Sequence, residues 1–176
     1  MPRRDSGSSD PWIHVTADKL SIYLNDHLAG ATVGVELAKR SRGSNQGTPL
    51  GDFLDRLQRE IAEDRETLKS LMGELGIRSD PLKTYGAWTA EKLGRLKLNG
   101  QLTGYSPLSR VVELEGLSMG ITGKRAMWAA LEHVLSARPG FDFAELRRRA
   151  ERQAAELEEH RLEAAQAALA PSVKRT

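Results

Sequence analysis

Residues 48–75 read TPLGDFLDRLQREIAEDRETLKSLMGEL, and the spacing of their apolar side chains decides the fold class. Leu50, Leu54, Leu57, Ile61, Leu68, Leu71 and Leu75 follow steps of three and four residues, with Asp64 filling the one gap. Only a helix gathers positions so spaced on one face, and a stripe of this width is the seam of a coiled-coil-like bundle. The stretch opens on Thr48-Pro49. A threonine oxygen can hold an orphan N–H of the first turn, and proline lacks that N–H while presetting the helical φ.

The same opening recurs at Asp80-Pro81 and Ser106-Pro107, and Asp142 with Glu145 three residues on resembles a capping box. Glycines 43, 76 and 100 stand where helices should stop. These signals predict helices at 17–41, 49–75, 81–98, 107–136 and 142–168. Residues 1–16 are expected to be disordered or extended, and 169–176 a flexible tail. No stretch alternates with a period of two, so the expected class is all-α. The expected architecture is an antiparallel four-helix bundle with a short extra helix in the crossover between its second and third long helices.

Each long helix carries one predicted seam. The first has Leu20, Leu24, His27, Ala31, Val35 and Ala38; the third has Leu108, Val112, Glu115, Met119, Thr122, Ala126 and Ala129. The fourth has Phe143, Leu146, Ala150, Gln153, Leu157, His160 and Ala164. Two helices are apolar on a second side as well: Ile22, Ala29, Val33 and Leu37 on the first, Leu114, Leu117, Ile121 and Trp128 on the third. A helix apolar on two sides needs two partners. The short helix, through Leu82, Tyr85, Leu93 and Leu96, is expected to cover one second stripe and a homodimer the other. Gly30-x-x-x-Gly34 and Gly116-x-x-x-Gly120 point the same way, since a mid-helix glycine costs about 1 kcal/mol against alanine and usually has a packing reason.

The composition excludes several function classes. Across 176 residues there is no cysteine, which removes disulfides, thiolate zinc sites and cysteine nucleophiles. The balance of 26 Lys+Arg against 24 Asp+Glu gives no clustered basic face, so nucleic acid is not an expected partner. The Arg147, Arg148, Arg149 and Arg152 cluster is interleaved with Glu145, Glu151 and Glu156, which reads as a salt-laced outer face. No apolar run approaches the roughly 18 residues of a membrane span, and no apolar segment follows Arg3 and Arg4 as a signal peptide requires. A cytoplasmic, soluble domain is expected.

Ionisable residues interrupt the seams at His27, Asp64, Glu115 and His160. A buried charge is costly unless paired, hydrogen-bonded or bound to metal. In a hairpin turning near residue 46, His27 and Asp64 fall within roughly 1.5 Å of one height; around a turn near 139, Glu115 and His160 differ by roughly 4.5 Å. Each hairpin therefore offers a level acid–histidine pair. The alternative to a functional site is a set of buried ion pairs that fixes helix register.

Two helical hairpins joined by a long crossover resemble the ferritin-like superfamily, over residues 17–168 and by helix order alone. That resemblance implies a carboxylate-rich metal centre in the core, made of single glutamates and Glu-x-x-His pairs. The motif itself is absent: Pro11, Leu24, Ala130 and Leu157 stand three residues before the four histidines. The resemblance leaves Glu36, Asp64, Glu115, Glu156 and His160 as ligands for iron or manganese, with His27 a further candidate. No catalytic triad order, zinc motif or dinucleotide fingerprint occurs. The expected function is a non-catalytic bundle without cofactor, acting through dimerisation or a protein partner. The alternative is an unorthodox ferritin-like metal or redox protein.

Overall fold

The structure is a computed structural model describing residues 11–80, 105–135 and 138–171, with 11–18 by backbone alone. It contains four helices: α1 (Pro11–Gly43), α2 (Pro49–Glu74), α3 (Pro107–Val134) and α4 (Phe143–Leu169). No strand occurs among the described residues. The helix expected at 81–98 lies outside them. α1 begins at Pro11, not at 17, so part of the stretch expected to be irregular is helical. Asp10-Pro11 repeats the acid–proline opening seen at Asp80-Pro81, a signal the apolar spacing masked.

The caps form as their chemistry predicts. Thr48 Oγ1 accepts from Gly51 N–H at 3.1 Å, Ser106 Oγ from Ser109 N–H at 3.0 Å, and Asp142 Oδ1 from Glu145 N–H at 2.8 Å. The capping box at Asp142 is only half made, because the Glu145 carboxylate turns outward to Arg148 and Arg152. α2 stops at Gly76, whose φ of 67° suits glycine. There Ile77 N–H donates to Met72 C=O and Gly76 N–H to Gly73 C=O, the paired bonds of a Schellman ending.

All four helices feed two apolar clusters. Val35, Leu37 and Ala38 of α1 meet Phe53, Leu54, Leu57 and Ile61 of α2, Leu114, Leu117 and Ile121 of α3, and Ala150 and Leu157 of α4. A second cluster joins Leu24 and Leu28 to Leu68, Leu71, Met72, Trp128, Leu131 and Phe143. Closest packing is α1 on α2, α3 on α4, and α1 on α3, whereas α2 and α4 approach each other at few points.

One seam needs correction. On α3 the buried face is Val111, Leu114, Leu117, Ile121, Trp128 and Leu131, which takes in the second stripe (Leu114, Leu117, Ile121 and Trp128) expected to meet the short helix or a second copy. The predicted seam lies outward, with Leu108 at 40% and Met119 at 64% exposure. Magnitude explains the exchange. At about 25 cal/mol per Å2, Trp128 alone brings roughly 5 kcal/mol, more than the two alanines and the threonine of the predicted seam can. The glycine pairs divide likewise. A Cβ on Gly116 would sit 3.1 Å from Leu37, tighter than an ordinary contact, so this glycine serves packing within the chain, whereas one on Gly34 would make an ordinary contact with Ile61 at 3.7 Å. Beside Gly30 and Gly120 the space is open.

Candidate functional site

Once α3 turns its Leu117 and Trp128 face inward, two charges come with it, because Glu113 and Lys124 share that face at helical spacing. Each becomes the centre of a polar network. Neither was singled out as an interior residue by the sequence, which placed Glu115 there instead.

Lys124 bridges three helices. Its ammonium donates to Asp64 Oδ2 of α2 and to Gln153 Oε1 of α4. Arg149 of α4 donates to the other Asp64 oxygen and, at 3.0 Å, to Glu63. Gln153 returns a bond of 2.7 Å to Glu60. Asp64 is only 2% exposed, so both its oxygens are spent on cations inside the protein. Burial pulls the Lys124 ammonium below its ordinary value; Asp64 opposes this and Arg149 adds to it. For Arg149 burial acts downward too, but Asp64, Glu63 and Glu60 outweigh it and hold the guanidinium above its usual range. The arrangement is a buried ion network of the kind that fixes how helices sit against one another.

The second network anchors the other end. Glu113, with no exposed surface, lies 3.0 Å from Arg40 Nε and accepts from the Tyr105 hydroxyl at 3.1 Å. Asn45 donates to the same hydroxyl at 3.0 Å and to Ser41 C=O at 2.7 Å. Burial, the largest cause, and the Glu113 charge both raise the Tyr105 phenol, so it stays a donor.

The residues expected to form a site are not brought together. Glu115 is 51% exposed beside Arg161, 3.7 Å away, which corrects its placement in the interior. Glu36 is exposed on α1. Glu156, nearly half exposed, pairs with Arg56. His160 is half-buried against the Phe53 ring at 5.0 Å, not beside Glu115. His27 meets Tyr23 edge to face at 4.6 Å, and Asp64 meets Lys124 and Arg149 in its place. Among the described residues no three His, Asp or Glu side chains converge as metal ligands would. The arginine cluster also divides: Arg147, Arg148 and Arg152 make outer pairs with the expected Glu145 and Glu151 and with Glu132 of α3, while Arg149 turns in to Asp64.

What remains on the surface is the outward stripe of α3. Leu108, Met119, Thr122, Ala126, Ala129 and His133 are exposed on steps of three and four, with Val112 half-buried in line. Glu115 is the one carboxylate within it. A coiled-coil period is thus written on a face that no described helix covers.

Comparison with known proteins returned no matching family model, no matching curated protein and no matching solved structure. Among the described residues no helix is long and apolar enough to cross a membrane.

Proposed function

We propose that the chain is a non-catalytic four-helix bundle that acts by binding a protein surface through the outward face of α3. The bundle reading, with antiparallel hairpins in ferritin-like order, draws on residue pairings. Arg42 meets Asp55, Gly34 faces Ile61, and Asn25 meets Arg78, so α2 retraces α1. Glu132, Lys124 and Glu115 meet Arg147, Gln153 and Arg161, so α4 retraces α3. Arg40 meets Glu113 while Leu24 joins Trp128, which favours α3 running parallel to α2 and a crossover from one end to the other.

The observation that carries the function is the α3 stripe. Contiguous apolar faces on a soluble protein mark interaction sites more often than isolated exposed residues do. Here the stripe keeps a two-helix period along a 28-residue helix, roughly 42 Å, with almost no charge. The interior charges support the same reading from the other direction, since Asp64 pairs with Lys124 and Arg149, and Glu113 with Arg40.

The test is a photo-crosslinking amino acid at Met119, with Arg59 on the charged face of α2 as control. Protein adducts should form at position 119 and be lost on Ala126→Glu, whatever their mass. Equal labelling at both positions, or no adduct at 119, would remove the reading.

A further inference from the structure

The stripe is complementary to itself, and from this we infer that its occupant is a second copy of the chain, docked across a two-fold axis with the two α3 helices antiparallel. The inference rests on the reading of this face as a docking surface. Stripe positions 108, 112, 115, 119, 122, 126, 129 and 133 are symmetric about a point between 120 and 121. Turning a second helix about that point sets Leu108 against His133 of the second copy, Val112 against Ala129, Glu115 against Ala126, and Met119 against Thr122. The larger apolar side chains all lie in the first half, and the smaller ones in the second. Antiparallel pairing therefore sets large against small at Val112–Ala129, Met119–Thr122 and Glu115–Ala126, with His133 across from Leu108 at the ends, whereas parallel pairing sets Leu108 on Leu108 and Ala126 on Ala126, leaving gaps. Knobs fill holes only in the first case.

Charge selects the same register. Arg125 is exposed beside the stripe and makes no ion pair among the described residues. In the two-fold pair Glu115 comes within one position of Arg125 on the second copy, and the symmetry makes the contact twice. The helix dipoles also oppose each other favourably in this arrangement. An isologous contact of this type closes on itself, so it stops at two copies.

Area sets the strength. A stripe about 37 Å long and about 10 Å wide buries on the order of 400 Å2 per copy, about half of a standard interface. The pair is therefore transient and concentration-dependent.

Because the chain has no cysteine, single-cysteine variants read the register directly. Leu108→Cys and His133→Cys of the full chain are purified separately and oxidised, alone and mixed one to one. The mixture should give a disulfide-linked pair and each variant alone should not, since like positions are about 37 Å apart along the axis. Sedimentation of the wild type should rise toward two copies with concentration, and Ala126→Glu should weaken that at least roughly tenfold. Linkage of Leu108→Cys to itself would overturn the antiparallel register. A wild type that sediments as one copy at every concentration, with no linked pair in the mixture, would overturn self-association. In that case adducts of Met119 with a different protein would leave the docking face standing, and their absence would remove both.

Discussion

Asp64 and Lys124, sixty positions apart in sequence, meet in the interior as the only described contact between α2 and α3 through opposite charges. Asp64 also holds Arg149, whereas Lys124 holds one carboxylate and one amide. The two residues are therefore unequal. Asp64→Leu strands a buried ammonium beside a guanidinium and should cost about 3–5 kcal/mol. Lys124→Met leaves Asp64 its arginine and should cost less than half of that. Urea denaturation measures both, and equal costs would contradict the asymmetry.

Acid should weaken the fold through His27. Burial lowers its imidazole below the ordinary 6.5, with nearby Asp26 opposing. A group depressed in the folded state stabilises above the unfolded value and loses that as pH falls through the folded one. Stability should thus decline from about pH 6.5 downward, by at most about 1.4 kcal/mol per unit from this one proton. His27→Gln should flatten that part of the curve in thermal melts at fixed salt; an unchanged slope would exclude His27 as its source.

The turn before α2 predicts opposite outcomes for two glycines. A Cβ on Gly51 would lie 2.2 Å from the Asn45 carbonyl oxygen, a backbone atom held by the Thr48 hydroxyl at 2.7 Å. Gly51→Ala should destabilise by about 2 kcal/mol or more, the helical gain of about 1 kcal/mol being overrun by the clash. Gly73 has nothing within 4 Å, so Gly73→Ala should stabilise by up to about 1 kcal/mol. Chemical melts of the two variants should move in opposite directions.

Tyr105→Phe removes one hydroxyl that serves two partners. Asn45 loses an acceptor and Glu113, fully buried, loses a donor. The expected cost is about 1–3 kcal/mol. Hydrogen exchange should report faster opening at both residues 41–48 and the start of α3, because the hydroxyl ties them together; change confined to α3 would argue against that link.

Much of the fold was legible because the signals were local. The Thr48 and Ser106 caps, the Gly76 stop and the α2 stripe each depend on neighbours within a turn or two. The candidate site was not. Whether α3 buries Glu115 or Glu113 depends on which of two apolar faces the other helices cover, and period alone does not rank them. Side-chain volume does: Trp128, Leu117 and Ile121 outweigh Met119, Ala126 and Ala129. Arg149 was hidden for a related reason, since one arginine of four turns inward only because Asp64 waits across the helix gap.

The gap between α2 and α4 gives the molecule a grain. The other three helix contacts are packed closely, with ion pairs beside the hydrocarbon, but this one meets at few points and is laced by Arg56–Glu156, Glu60–Gln153 and Arg149 with Glu63 and Asp64. Sulfate strengthens the dry sides while dissolved ions weaken the exposed laces, so one solution change tightens three edges and slackens the fourth. Breathing of the native protein should accordingly be directional, with the hairpins parting along this edge while each stays whole.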